Sequence, residues 1–214
     1  EIGDADLALR PAAFWREHGV VVRTGTAVAA IEPDAGQVVL ADGSAIPARR
    51  IVLATGSNAI RLPKPGMDLP GVVTFRDLDD TAALSAFASR GQGRAAVIGG
   101  GLLGLEAAYG LARAGVAVTL VHLMDRLMER QLDAPAAALL RRALEARGIT
   151  VLLGADTARV IGDTRADGLA LSDGRVIPAE LVVCAVGVRP QADLARAARL
   201  ATGRGVVVDD GLAT

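Results

Sequence analysis

Val97-Ile98-Gly99-Gly100-Gly101-Leu102-Leu103-Gly104-Leu105-Glu106 is the stretch on which the reading of this chain turns. A short apolar run, residues 95–98, enters a glycine cluster, and the chain leaves it through the Leu- and Ala-rich residues 102–114, which Gly115 ends. That pattern predicts strand, tight turn and helix. Gly99, Gly101 and Gly104 stand in G-x-G-x-x-G spacing. In that spacing the glycines allow the turn, let the backbone approach a pyrophosphate, and let the helix pack closely on the strand. The free N–H groups at the helix N-terminus then face the phosphates. The spacing alone also suits a purely local turn, so the flanking sequence has to decide.

On the C-terminal side, residues 117–121 form the next strand candidate. Asp133 with Pro135 opens a helix to about Arg147 that Gly148 stops, and residues 149–153 are strand again. On the N-terminal side, Asp79 or Asp80 caps a helix that runs to about Arg90. This alternation of strand and helix predicts an α/β fold, a Rossmann-like doubly wound parallel sheet. Residues 58–70 hold three prolines without periodicity and read as a connecting segment. Before them come a short helix over residues 9–18 stopped by Gly19 and a β-branched strand at Val20–Val22. A small antiparallel β-meander follows, built on residues 27–32 and 37–41 with turns at Pro33-Asp34-Ala35-Gly36 and Asp42-Gly43. The segment ends in a buried-looking strand over residues 50–56.

An internal repeat ties the two halves together. Leu40-Ala41-Asp42-Gly43-Ser44-Ala45-Ile46-Pro47-Ala48 matches Leu171-Ser172-Asp173-Gly174-Arg175-Val176-Ile177-Pro178-Ala179, and Val52-Leu53-Ala54-Thr55-Gly56 matches Val183-Cys184-Ala185-Val186-Gly187. Gly19 and Gly25 pair with Gly148 and Gly154, all at an offset of about 130 residues, so two copies of one unit are expected. The glycine loop precedes the second meander but nothing comparable precedes the first. The reading therefore predicts a truncated first copy whose own loop lies before residue 1, and a complete protein that binds two dinucleotides.

Composition narrows the chemistry. A formal net charge of -1 and 2% aromatic residues leave no field or stacking platform for nucleic acid, and no apolar stretch approaches the roughly 18 residues a membrane helix needs. A single cysteine, Cys184, precludes an internal disulfide, a C-x-x-C redox pair or an all-cysteine cluster, points to the cytoplasm, and reads as a small core residue. No Ser/His/Asp set, carboxylate pair or metal-ligand cluster stands out, so no catalytic side chain or metal ligand is assigned. If cofactors meet here, the chemistry is theirs.

Two residues beside the loop invite a role. The fingerprint wants an acidic residue at the end of the next strand, about 20 residues on, for the adenosine ribose. His122 stands there instead. It could donate to a hydroxyl, meet a 2′-phosphate when protonated, or simply face solvent at the strand end, and Asp125 or Arg126 could supply an acceptor or a phosphate partner. Glu106, read as lying on the first helical turn, either answers the helix dipole or orients a carboxamide or a lysine near a reactive ring.

With these motifs assembled, the chain resembles the FAD-dependent pyridine nucleotide-disulfide oxidoreductase superfamily over essentially all 214 residues. The likeness rests on Ala54-Thr55-Gly56-Ser57, the Gly99–Glu106 loop, Ala185-Val186-Gly187-Val188-Arg189-Pro190 and Gly205-Val206-Val207-Val208-Asp209. Within that group Val121-His122-Leu123-Met124-Asp125-Arg126-Leu127-Met128-Glu129-Arg130-Gln131-Leu132-Asp133 resembles the same stretch of assimilatory nitrite reductases. The resemblance implies the C-terminal part of a truncated FAD-binding domain over residues 1–75, an NAD(P)-binding domain over 76–205 and a return strand to the FAD domain over 206–214. Thr55 and Gly56 would lie against the flavin nucleotide with Arg61 nearby. Gly99, Gly101, Leu102, Leu103 and Gly104 would hold the NAD(P) pyrophosphate, with Glu106, Val186 and Gly187 near the nicotinamide.

The flavin site is incomplete in this stretch, whose partner loop and closing Phe-Ala-x-Gly-Asp segment would lie outside it. The resemblance further implies hydride transfer from NAD(P)H to FAD and electrons passing to an acceptor, in nitrite reductases an iron–sulfur and sirohaem centre on further domains. A rubredoxin, ferredoxin or monooxygenase reductase, and a non-catalytic NAD(P)-sensing module, are the alternative readings.

Overall fold

The computed structural model describes residues 7–214. In chain order the elements are α1 (Ala12–Glu17), β1 (Val28–Glu32), β2 (Gln37–Leu40), β3 (Ala45–Pro47), β4 (Ser57–Ala59), β5 (Val72–Thr74), α2 (Leu78–Ala88), β6 (Arg94–Ile98), α3 (Leu102–Arg113) and β7 (Ala117–Val121). There follow α4 (Ala134–Glu145), β8 (Thr150–Leu152), β9 (Thr157–Ile161), β10 (Gly168–Leu171), β11 (Val176–Pro178), β12 (Leu181–Cys184), β13 (Val188–Pro190) and α5 (Asp193–Ala197). They divide into two compact units, Glu1–Thr55 with Ala192–Thr214, and Gly56–Gln191. The part of the expected 1–75 segment before residue 7 lies outside the described residues.

The larger unit is built on a five-stranded parallel sheet in the order β5-β12-β6-β7-β8. Its central strands are apolar on both faces, as a parallel sheet covered on both sides requires. Side chains alternate between two cores. Ala95, Val97, Val118, Leu120, Leu181 and Val183 face Leu84 of α2, Leu105, Ala108 and Leu111 of α3 and Leu144 of α4. Ala96, Ile98, Val121, Val182 and Cys184 face the antiparallel meander β9-β10-β11 through Val160, Leu169, Leu171 and Ile177. The layer opposite the three helices is thus a meander. Cys184 is a core residue, 1% exposed, and burial pushes its thiol pKa up.

Helix ends follow the local sequence. Asp133 accepts from the Ala136 N–H, as a cap with proline in the first turn should. Gly115, at φ +87°, ends α3, the Val116 and Gly115 N–H groups returning to the carbonyls of Leu111 and Ala112. The cap of α2 corrects the reading of Asp79 or Asp80. Asp77 accepts from the Asp80 N–H, while the Asp80 carboxylate takes the Thr74 hydroxyl and the Arg76 N–H, tying the helix to the end of β5. Residues 58–70 are also more than a connector. They finish β4, which pairs with β13, and bury Met67 at 3% exposure against the meander face.

The smaller unit holds the meander β1-β2-β3, with α5 packed on β1. Both copies of the Asp-Gly repeat therefore fold as three-stranded antiparallel meanders. Two expected strands of this unit do not form. Val20–Val22 and residues 50–56 join no β-ladder among the described residues, and Val21 and Val52 are 82% and 88% exposed. β-branched composition suits a strand, but a strand exists only when a neighbour takes its N–H and C=O groups.

Candidate dinucleotide site

The carboxyl ends of β6, β7 and β12 lie side by side at the middle of the parallel sheet, where the chain crosses over on either side of β6. In open α/β sheets this crevice is where ligands bind. Three segments emerge there: Gly99–Gly101 after β6, His122 onward after β7, and Ala185–Gly187 after β12.

Each glycine of the loop answers a different constraint. Gly99 sits at φ +117°, and a Cβ on it would run into the Ala185 carbonyl of the neighbouring strand end. A Cβ on Gly104 would collide with the Gly99 carbonyl, so α3 touches the loop directly. Gly101 is the N-cap of α3 and a Cβ there meets nothing within 4 Å. No side chain caps this helix, and its first intrahelical bond is from the Leu105 N–H to the Gly101 carbonyl. The N–H groups of Leu102, Leu103 and Gly104 therefore precede the ladder, at the positive end of the helix dipole. Open space before unpaired donors fits a pyrophosphate.

His122 does not face solvent. It is 8% exposed, and its Nδ1 accepts a hydrogen bond of 3.0 Å from the Gly100 N–H. Its Nε2 lies 3.2 Å from Oε2 of Glu129. Desolvation pushes the Glu129 carboxyl up, but its own backbone N–H and the His122 ring outweigh that, and its pKa lies below the ordinary value. Arg126 runs along its own loop, Nη1 3.4 Å from Asp125 and Nη2 3.4 Å from the Glu129 carbonyl. Glu129 had no signal in the sequence beyond being an acid seven residues after a histidine.

Glu106 is the fifth residue of α3, one position past the first turn on which the dipole argument for it rests. It is exposed and lines a cleft of about 500 Å³ between α2 and α3 with Phe75, Thr81, Leu84 and Ser85. Val186 is half-buried, and Gly187, at φ +118°, accepts from the Ile60 N–H. The neighbouring Arg61 gives Nη1 to the Met67 carbonyl at 2.9 Å. Gly56 accepts from the Gln191 N–H, and Thr55 is exposed at the end of the other unit. Among the described residues only one glycine loop opens onto the N-terminus of a helix. The residues of that loop fit the pyrophosphate of one dinucleotide. Among the described residues no group of His, Cys, Asp and Glu could hold a metal, and no helix is long and apolar enough to cross a membrane.

The chain is similar to known proteins over nearly its whole length. The chain is 43% identical over 210 residues to a nitrite reductase [NAD(P)H] of Bacillus subtilis, and 40% identical over 209 residues to an assimilatory nitrate reductase electron transfer subunit of the same organism. Each alignment covers 98% of this chain but only 26% and 27% of the relative, so the chain spans about a quarter of their length. Among solved structures, a ferredoxin reductase from Rhodopseudomonas palustris superposes with a TM-score of 0.89 at 31% identity, over 94% of this chain and 49% of that one. The reductase in a covalent putidaredoxin reductase–putidaredoxin complex superposes at 0.91 and 29%, over 97% and 51%. With residues 4–214 matching the family throughout, the chain belongs to the pyridine nucleotide-disulphide oxidoreductases.

Proposed function

We propose that this chain is the NAD(P)H-binding portion of a flavin-dependent reductase of the nitrite reductase type. The observation that carries the reading is the open space before Gly101 and the uncapped N–H groups of Leu102, Leu103 and Gly104 behind it. In this reading those groups hold the pyrophosphate, while Val186 and Gly187 line the nicotinamide end with Glu106 on the adjoining helix. Thr55, Gly56 and Arg61 belong to the flavin side of the longer protein. The nicotinamide supplies the hydride, and the chain's task is to fix the cofactor's position, from which much of a barrier reduction can come. The 43% identity to a nitrite reductase favours that type, and the 40% identity to an assimilatory nitrate reductase electron transfer subunit keeps the reading within nitrogen-oxide reduction. Ferredoxin reductase components at 38% and 35% identity keep a ferredoxin-type acceptor as the second reading. A cytoplasmic setting goes with either.

Calorimetric titration with NADH and NADPH tests the site. The unmodified chain should bind with one-to-one stoichiometry. Gly101→Glu should weaken binding by at least about 100-fold, because a carboxylate then fills the phosphate space, while the thermal midpoint stays unchanged because nothing else lies there. Unchanged affinity in that variant would remove the loop from the site.

A further inference from the structure

Gly100 is the one member of the glycine run that the fingerprint leaves without a task, yet both of its backbone polar groups are engaged. Its N–H donates to Nδ1 of His122, and its carbonyl accepts from the Met128 N–H at 3.0 Å. A Cβ on Gly100 would sit 2.6 Å from the His122 ring and 2.8 Å from Leu127, which is fully buried. Met128 reaches Gly100 from a left-handed backbone at φ +51°, uncommon for a side chain of its size, and its own carbonyl is taken by the Gln131 and Leu132 N–H groups. The stretch after β7 thus braces the turn from behind while the Gly101 side stays open.

The imidazole chemistry in this brace is specific. A backbone N–H can only donate, so Nδ1 must carry a lone pair, and Nε2 must then carry the proton that it donates to the ionised Glu129 carboxylate. The charged groups near the ring are Glu129, which touches it, and Asp125, Arg126 and Arg130 on the same loop. The segments that flank it from the sheet side, Gly99–Gly101 and residues 152–155, carry no ionisable side chain. A doubly protonated ring sets a donor against the Gly100 N–H and the bond is lost.

We propose that His122 is a positioning residue for dinucleotide binding: its neutral ring, with the tautomer fixed by Glu129, latches Gly100 and so holds the pyrophosphate-facing turn, and protonation of the ring unlatches it. This rests on the assignment of Gly99–Gly104 to NAD(P)H. It departs from the idea of His122 as a cation for a 2′-phosphate, because the two roles need opposite protonation states.

Titrations of the full chain with NADH and with NADPH at about pH 8 and about pH 5.5 separate the roles. A latch makes both ligands weaken together in acid, by about tenfold, the worth of one lost hydrogen bond. His122→Asn keeps an acceptor at the Nδ1 position that does not titrate, so it should bind within about threefold of the unmodified chain at about pH 8 and keep that affinity at about pH 5.5. His122→Ala should be about tenfold weaker already at pH 8 and lose no more in acid.

Histidine-¹⁵N spectra of the unmodified chain give a readout independent of any variant's folding. With only His18 and His122 present, His18→Gln assigns the signals, and His122 should show the Nε2–H tautomer at neutral pH. Alanine binding like the unmodified chain at both pH values, an Nδ1–H tautomer, or NADPH alone tightening in acid would each overturn the latch. Failure of the unmodified chain to bind either nucleotide would overturn the functional reading and the latch with it.

Discussion

Val52-Leu53-Ala54-Thr55-Gly56 and Val183-Cys184-Ala185-Val186-Gly187 follow the same Asp-Gly meander at the same distance, yet they have opposite fates. The second enters β12, is fully buried through Val183, and pairs with β5 on one side and β6 on the other. The first forms no ladder among the described residues and leaves Val52 88% exposed. Composition cannot account for this, since both begin with a β-branched residue in an apolar run and both stop at a left-handed glycine. The difference is the neighbours. A strand between two others satisfies its backbone and buries both faces, and the same kind of run outside a ladder remains extended chain.

Paired substitutions probe that contrast. The largest effect is expected from Val183→Asp, which places a carboxylate at 0% exposure in the middle of the sheet. It should cost about 4 kcal/mol or more in urea unfolding, whereas Val52→Asp should stay within about 0.5 kcal/mol. Equal costs would mean that residues 50–56 are strand after all. The glycines that close the two stretches come next. Gly187 at φ +118° lies outside the pocket of backbone space that L-residues tolerate, whereas Gly56 at φ +69° lies close to it. Gly187→Ala should lower stability by about 2 kcal/mol and Gly56→Ala by about 1 kcal/mol. The reverse order would show that the turn after β12 can relax.

The smallest effect concerns an ion pair found in the second copy, where Arg94 at the start of β6 meets Glu180 just before β12 at 2.7 Å. The equivalent position in the first copy is Arg49. The Arg94 guanidinium holds the Glu180 carboxyl below its ordinary pKa, against opposing desolvation. A lowered folded pKa contributes stability above the unfolded carboxyl range of about 4.3, and that contribution disappears as the pH falls through the folded value. The Glu180 side chain is 38% exposed, so Glu180→Gln should cost at most about 0.5 kcal/mol at pH 7, and the two unfolding midpoints should converge in acid. A difference that grows in acid would point to another role for Glu180.

Much of the larger unit was legible before any coordinates. The helices α3 and α4, the strands β6, β7 and β8 and the turn of Gly99–Gly104 follow from periodicity, caps and stop glycines, because each is fixed by interactions within a few residues. Cys184 as a core residue was legible for the same reason, lying inside an apolar run. The cap of α2 was misjudged because Asp77, Asp79 and Asp80 are equivalent as letters, and only the hydrogen bond from Thr74 to Asp80 decides which one is left to cap the helix. Glu106 is the fifth residue of the helix that begins at Leu102, one position past the first turn in which its reading placed it.

The sequence alone therefore determined the family, the parallel α/β core and the place of the glycine loop, all of which rest on short-range pattern and on spacing that the backbone must obey. Tertiary structure alone decided which β-branched runs became strands. It also decided that a meander covers the second face of the sheet, and that His122, instead of reaching outward, turns back onto Gly100 with Glu129 behind it. These depend on partners 7 to 130 residues away, and a donor, an acceptor or an open strand edge does not announce in sequence which partner will meet it.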